Sequence, residues 1–328
     1  MDQPQRTLQQ GNDRRPPQPI LVTGSSGFIG SHLVEHLGRT GRPVIGIDRR
    51  RPLHTPTDQV PATAIRYIHD DLRWMDLEPL LEGVSCVVHL AALPGVRPSW
   101  RLFDQYVESN VMATHRLLQA ATAAGVSRLV LASSSSVYGN RTSGAMAEHE
   151  APAPVSPYAV TKLAAEQLAI AYAARTDNAL TTTVLRFFTV YGPRQRSDML
   201  ISRLIVAACN ATEIRVFGDG SQRRDFIYVE DVVHAIDAAI CSATSEDVVN
   251  VGTGNAISVA EIIALVTELV GQEPMVRVES QRAGDVALTR ADVRKASELL
   301  GFRPRVSLRD GLLRHIDSTR SELAQALA

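Results

Sequence analysis

The stretch Ile20-Leu21-Val22-Thr23-Gly24-Ser25-Ser26-Gly27-Phe28-Ile29-Gly30 decides how this chain folds. A short aliphatic run passes straight into a GxxGxxG and then into the helical Ser31 to Leu37, which reads as strand, tight turn and helix. Gly24, Gly27 and Gly30 permit the turn, and with Phe28 and Ile29 they let N–H groups at the helix start approach a pyrophosphate. Asp48 closes the second apolar run about 20 residues on, where a carboxylate accepts hydrogen bonds from an adenosine ribose and repels a 2′-phosphate. These features predict a dinucleotide site that takes NAD. Arg49, Arg50 and Arg51 follow at once and could hold a 2′-phosphate, but the carboxylate stands where that phosphate would go.

Outward from this stretch, short β-branched runs alternate with segments of helical period. Strands are expected at Ile20 to Thr23, Val44 to Ile47, Ile65 to His69, Cys86 to His89, Arg128 to Ala132 and Thr182 to Phe187. A long helix is expected from Phe103 to Ala124, with Phe103, Tyr106, Val107, Asn110, Val111, Thr114, Leu117, Leu118 and Ala121 on one face. Another starts near Pro157. The alternation predicts an α/β fold, a Rossmann-type doubly wound parallel sheet. Beyond Phe188 prolines and glycines break the rhythm, so a smaller C-terminal α/β substrate-binding domain is expected. The divisions are a disordered tail at 1–19, a dinucleotide domain at 20–187 and a second domain at 188–328, some of whose segments return to the first sheet. In that second part Ser258 and Glu261 form a capping box ahead of Ile262, Ile263, Leu265, Val266 and Leu269.

Composition narrows the classes of function. The 34 basic and 35 acidic residues among 328 give a net charge of -1, so no global field gathers nucleic acid, and no apolar run is long enough to cross a membrane. Cys86, Cys209 and Cys241 are far apart and form no CxxC, which argues against a disulfide framework or zinc knuckle and for a reducing cytoplasm. Arg14-Arg15 imitates a twin-arginine signal, but no signal-type apolar region and cleavage site follow. His32-Leu33-Val34-Glu35-His36 imitates a zinc-peptidase HxxEH. If the helix buries Ile29, Leu33 and Leu37, then His32, Glu35 and His36 face solvent, and no metal is expected.

Tyr158 and Lys162 stand one helical turn apart on the same side. A phenol is a poor base near neutral pH unless a cation favours the phenolate, and Lys162 and an oxidised nicotinamide both supply one. Upstream, an apolar strand runs into Ser133-Ser134-Ser135-Ser136-Val137-Tyr138-Gly139, which points hydroxyls into the crevice at the carboxyl end of a parallel sheet. No GxSxG elbow accompanies it, so a serine hydrolase is not indicated.

With these motifs, and with Asp71-Leu72, His89-Leu90-Ala91-Ala92, Asn110, Arg186-Phe187-Phe188, Gly218-Asp219-Gly220 with Arg224-Asp225-Phe226, and Arg282-Ala283-Gly284-Asp285, the chain resembles the extended short-chain dehydrogenase/reductases, in their NAD-dependent nucleotide-sugar epimerase and dehydratase branch. The resemblance implies Ser134, Tyr158 and Lys162 as the catalytic set. It implies a cofactor site that includes Asp71, Leu72, Leu90, Ala91, Ala92 and Asn110. On the substrate side it implies Arg224 and Arg282 clamping a nucleotide diphosphate, Asp285 binding its ribose and Phe217 covering a uracil-type base, with Arg203 nearby. It also implies a homodimer.

Dehydratases of the branch carry Asp-Glu after the catalytic hydroxyl residue, and the glucuronate decarboxylases tend to have a glutamate at the second position. Ser135 and Ser136 stand there instead. Pro94-Gly95-Val96-Arg97 and the segment from Thr189 to Arg196 look like UDP-glucuronate 4-epimerases, of the moenomycin-biosynthesis type. The resemblance therefore implies C4 epimerisation of a UDP-sugar, with Ser135, Ser136 and Thr189 lining a pocket able to take a C6 carboxylate and Arg97 or Arg196 adding charge. UDP-glucose/UDP-galactose interconversion, decarboxylation and 4,6-dehydration are the alternatives.

Overall fold

The computed structural model describes residues 18–327 apart from 53, 55–58, 62, 243–246 and 281–283. Seven parallel strands, β1 (Ile20–Thr23), β2 (Val44–Asp48), β3 (Ile65–His69), β4 (Cys86–His89), β5 (Arg128–Ser134), β6 (Thr181–Phe187) and β10 (Asp247–Val251), form one sheet in the order β10-β6-β5-β4-β1-β2-β3. The order reverses between β1 and β4, which is where an open α/β sheet leaves a crevice beyond its strand ends. β5 runs two residues further than its apolar stretch, because Ser133 and Ser134 still pair with Arg186 and Phe187 of β6. The last 80 or so residues return one strand, β10, to this sheet. The remaining strands make two small sheets: β7 (Thr189–Tyr191), β9 (Arg223–Tyr228) and β11 (Ala256–Ser258), and β8 (Glu213–Phe217) with β12 (Met275–Glu279).

The helices are α1 (Phe28–Arg39), α2 (Glu78–Leu81), α3 (Val96–Ser99), α4 (Phe103–Tyr106), α5 (Ala113–Ala123), α6 (Pro157–Ala173), α7 (Leu200–Asn210), α8 (Val229–Cys241), α9 (Val259–Val270), α10 (Arg294–Leu300) and α11 (Leu308–Leu327). Both sheet faces are covered, so the strands alternate between two cores. Val22, Val88, Val130 and Leu185 pack with Leu33 and Leu37 of α1 and Val232 and Ile236 of α8. Leu21, Val87, Leu129 and Val184 pack with Leu117 and Leu118 of α5 and Ala165 and Ala169 of α6. The capping box at Ser258 and Glu261 forms, with both reciprocal hydrogen bonds.

Three expectations are corrected. The long helix is interrupted at Val107–Met112 by a π-helical turn, and Phe103 at its start is 43% exposed, whereas Tyr106, Asn110, Thr114, Leu117, Leu118 and Ala121 of the expected face are buried. The HxxEH face is not solvated, because α8 and the loop after β7 cover it. Glu35 is 4% exposed and paired with Arg39 and Arg194, His36 meets Asp237, and His32 meets the carbonyl of Pro193. Most of the expected tail lies outside the described residues, and its last member, Pro19, accepts a hydrogen bond from Ser85 N.

Candidate active site

At the turn after β1, Gly24 has φ +70°, and a Cβ there would stand 2.8 Å from Ala91 N. A Cβ on Gly30 would overlap the carbonyl oxygen of Gly24. The turn is thus closed against both α1 and the β4 end, which only glycine allows. α1 starts at Phe28 after Gly27, with no side chain capping it, so backbone N–H groups are presented to the crevice. The hydroxyls of Ser25 and Ser26 are buried without a partner among the described residues. Asp48, at the end of β2, accepts from Ser26 N at 3.1 Å and from Arg50 N at 2.9 Å. Orphaned hydroxyls, an uncapped helix start and a fixed carboxylate fit a bound dinucleotide. The Arg50 side chain lies 3.8 Å from Asp48 and is mostly exposed.

Below the turn, Ala91 N donates to Thr23 Oγ1, and Thr23 pairs with His89 Nδ1 at 2.7 Å. On the other side His89 Nε2 meets Thr114 Oγ1 at 2.9 Å, and Thr114 donates to Asn110 O. The Thr114 proton is committed, so His89 must donate from Nε2 and accept at Nδ1. Burial lowers its pKa to about 3, so it is neutral. Asn110, in the π turn, accepts from Leu93 N and donates to Leu93 O and Thr161 Oγ1. Its side chain therefore holds the loop containing Leu90, Ala91 and Ala92. Asp71 is gripped by Arg73, and the Leu72 side chain belongs to the core.

Ser134 ends β5, and its hydroxyl reaches both Ser136 Oγ at 3.1 Å and the phenol of Tyr158. Ser135 is buried beside it and Ser136 half-buried. Tyr158 and Lys162 lie in the first turns of α6, which Ser156 caps and Pro157 opens. The Tyr158 N–H donates to Ser99 Oγ of α3 at 3.0 Å, and its ring packs edge-on against Tyr106 at 6.3 Å. Burial raises the Tyr158 pKa, and Ser134 and the charge of Arg196 pull it back. Lys162 Nζ donates to Ala132 O at 2.5 Å, and burial lowers its pKa to about 8, opposed by Glu166 one turn further along. Arg196, itself paired with Asp198, therefore lies close enough for its charge to bear on the phenol.

On the substrate side, a cavity of about 240 Å³ is lined by Arg97, Thr189, Arg203, Phe217, Arg224 and Asp285, with Gln195, Asp198 and Met199, which flank Arg196 in the chain, on one wall. Arg97 lies over the Phe217 ring at 4.1 Å and pairs with Asp285 at 3.3 Å. Pro94 and Gly95 are held by the Tyr106 hydroxyl, and Val96 by Ser99. Arg224 is near Asp285 and donates to the carbonyl of Arg223, whereas Arg203 donates to that of Arg215. Arg282 lies outside the described residues.

A family model for the NAD dependent epimerase/dehydratase family matches residues 20–252. The chain belongs to that family. NAD is accordingly its cofactor, and the solved relatives agree. MoeE5, whose structures contain NAD with UDP-glucose or with UDP-glucuronic acid, is 50% identical, with a TM-score of 0.88 over 93% of this chain and 99% of its own. UDP-glucuronic acid 4-epimerase from Bacillus cereus, with UDP-glucuronic acid and NAD, is 38% identical, with a TM-score of 0.87 over 93% of this chain and 99% of its own. The uncharacterized UDP-glucose epimerase YtcB of Bacillus subtilis (strain 168) is 40% identical over 90% of this chain and 96% of its own.

In this epimerase/dehydratase family member, sequence reasoning passed over several residues that shape the site. Tyr106 and Ser99 support the Tyr158 side through bonds to backbone groups, and their only signal is a hydroxyl in a loop or helix. Gln195 lines the cavity from the segment already singled out, which ends at Arg196, and Asp198 lines it from two residues beyond.

Proposed function

We propose that this chain interconverts UDP-glucuronate and UDP-galacturonate by inversion at C4 through a 4-keto sugar. The observation that carries this reading is the surround of Ser134: hydroxyls of Ser135 and Ser136 follow it, and the charge acting on Tyr158 is a cation, Arg196. An acid pair there would repel a C6 carboxylate and would supply the catalyst for elimination. The relatives solved with UDP-glucuronic acid support the same substrate.

The residues that would hold NAD are the glycine turn, Asp48, Tyr158 and Lys162, and NAD when bound supplies the reversible acceptor for the C4 hydrogen. Tyr158 as phenolate takes the C4 hydroxyl proton beside Ser134, and Lys162, protonated below about pH 8, favours that phenolate. The keto sugar turns about its diphosphate linkage while Phe217, Arg224, Arg282 and Asp285 hold the nucleotide. Tyr158 then returns the proton to the oxygen of the inverted centre. Thr189, Ser135, Ser136 and Arg196 hold the carboxylate away from the geometry in which a β-keto acid loses carbon dioxide.

UDP-glucose/UDP-galactose interconversion is the second reading, favoured by the UDP-glucose complex of MoeE5. Purified protein with UDP-glucuronate is expected to yield UDP-galacturonate. A UDP-pentose with carbon dioxide refutes the epimerase reading, and turnover of UDP-glucose alone replaces it with the second. A homodimer formed over α5 and α6 is also proposed, supported by the exposed Met112 in the π turn preceding α5 and the exposed Val160 of α6. Light scattering giving a monomer would refute it.

A further inference from the structure

We propose that His32 and Glu35 of the dinucleotide helix are positioning residues that clamp the strained loop at Arg194 and so set where Arg196 stands beside Tyr158. The HxxEH segment looks like a metal motif, but no cluster of three metal-ligating side chains forms around it among the described residues, and its polar side chains are engaged otherwise. His32 Nε2 donates to Pro193 O at 2.9 Å. Burial lowers the His32 pKa to about 4, so the ring stays neutral and keeps this bond across the working range. Glu35, with its side chain 5% exposed, receives Arg194 at 3.0 Å from the loop after β7 and Arg39 at 3.0 Å from its own helix.

Arg194 has φ +64°, a left-handed conformation that a non-glycine residue keeps only when its surroundings force it. The forcing groups are those two contacts, together with Gln195 Nε2 on Val190 O at 2.8 Å. Two residues later Arg196 emerges, paired with Asp198, and the chain turns into α7 through Met199 N on Arg196 O. Pro193 and Arg194 are held on one side of Arg196, and Met199 is bonded to its carbonyl on the other. The helix that presents its N-terminus to the cofactor therefore also places Arg196, whose chain neighbours Gln195 and Asp198 line the cavity. One rigid element registers both.

The groups that bear on the Tyr158 phenol are Ser134 from β5 and Arg196 from this loop, with the Tyr106 ring of α4 edge-on to the Tyr158 ring; Asp198 pairs with Arg196, and Lys162, with Glu166 beyond it, lies one turn along the helix of Tyr158 itself. Of these only the Arg196 pair depends on the clamp. Glu35→Gln should leave NAD content near wild type and lower the thermal midpoint by less than Glu166→Gln does, because Arg39 and Arg194 are partly exposed where Arg186 is buried. With the clamp loosened, the acid limb of the kcat–pH profile should move up by about half a pH unit, because a cation has drifted from the phenol. Calorimetric affinity for UDP-glucuronate should fall about tenfold, with that for UDP-glucose changing much less. The affinity comparison rests on the proposed uronate substrate, whereas the acid limb is read with whichever UDP-sugar turns over. Equal wild-type affinities would end the uronate reading and leave the limb to decide the clamp. If Glu35→Gln does not fold, Arg194→Gly serves, since glycine accepts the backbone angle but cannot reach Glu35. A folded variant with unmoved acid limb and unchanged UDP-glucuronate affinity overturns the proposal.

Discussion

Replacing Glu166 by Gln should both destabilise the fold and narrow the pH range of catalysis. Glu166 is fully buried on α6, one turn beyond Lys162, and Arg186 of β6 grips it with two bonds of 3.0 and 2.8 Å. Ser133 donates to it as well, and the Arg186 guanidinium lies over the Tyr138 ring at 4.7 Å. Gln keeps the shape but removes the charge and turns an N–H₂ toward a guanidinium. Breaking one partner of such a buried pair costs about 3–5 kcal/mol, because the other charge is left uncompensated. At about 2 °C per kcal/mol for a chain of this size, the thermal midpoint falls by roughly 6–10 °C at matched NAD concentration. The chemical effect has a definite sign. Burial holds the Lys162 pKa at about 8 against the raising influence of Glu166, so losing the carboxylate lowers it further. The ammonium that supports the phenolate then disappears at lower pH, and the alkaline limb of the kcat–pH profile shifts downward. Urea unfolding and pH–rate profiles measure the two effects. A loss under about 1 kcal/mol with an unmoved alkaline limb refutes the assignment of this network. Glu166→Met with Arg186→Met should recover stability, because the desolvation cost vanishes with the charges, but should not recover the alkaline limb.

Gly30→Ala puts a methyl group onto the Gly24 carbonyl oxygen and should abolish co-purifying NAD; retention of NAD would show that the turn relaxes. Asp48→Asn removes the carboxylate that repels a 2′-phosphate next to Arg50, so titration should show NADP affinity rising about tenfold relative to NAD, and an unchanged ratio would remove Asp48 from cofactor choice. His89, His32 and His315 have pKa values lowered by burial to about 3, 4 and 4 from 6.5. The unfolded chain takes up these protons first, so the stability the neutral rings represent is present above pH 6.5 and is lost as pH falls toward the folded-state values. Each ring contributes about 1.4 kcal/mol per pH unit in that window. Urea midpoints measured from pH 7 to 5 should fall accordingly, and His89→Gln should flatten the fall.

The strand-forming runs, the glycine turn, the place of Asp48 at the end of β2 and the helical spacing of Tyr158 and Lys162 were legible because each is local: a period, a spacing or a turn residue within one element. What escaped is pairing across distance. Nothing near Glu35 in the chain announces Arg194, and a helical wheel assigns Glu35 to water because it counts only the sheet side of α1. The second layer, α8 and the loop after β7, covers the other side and turns a charged face into a buried one. The π turn escaped for a different reason. One extra residue in a helical turn leaves no mark in residue type or spacing, and here it shows only in the backbone of Val107–Met112.

The same distinction bears on how the substrate pocket and the cofactor turn are kept in register. The glycine turn and Ser134 lie at the ends of β1 and β5, in a sheet whose strands are fixed by ladder bonds. Arg196 lies outside that sheet, on a loop that follows the short strand β7, so the sheet alone leaves its position free. A cation whose effect on the phenol falls off with distance needs a fixed separation to be useful. The contacts from α1 to Pro193 and Arg194 supply it by borrowing the rigidity of a helix already packed on the sheet. A polar face on that helix is thus a requirement of the site, since apolar residues at His32 and Glu35 could cover the loop but could not hold a left-handed backbone in place.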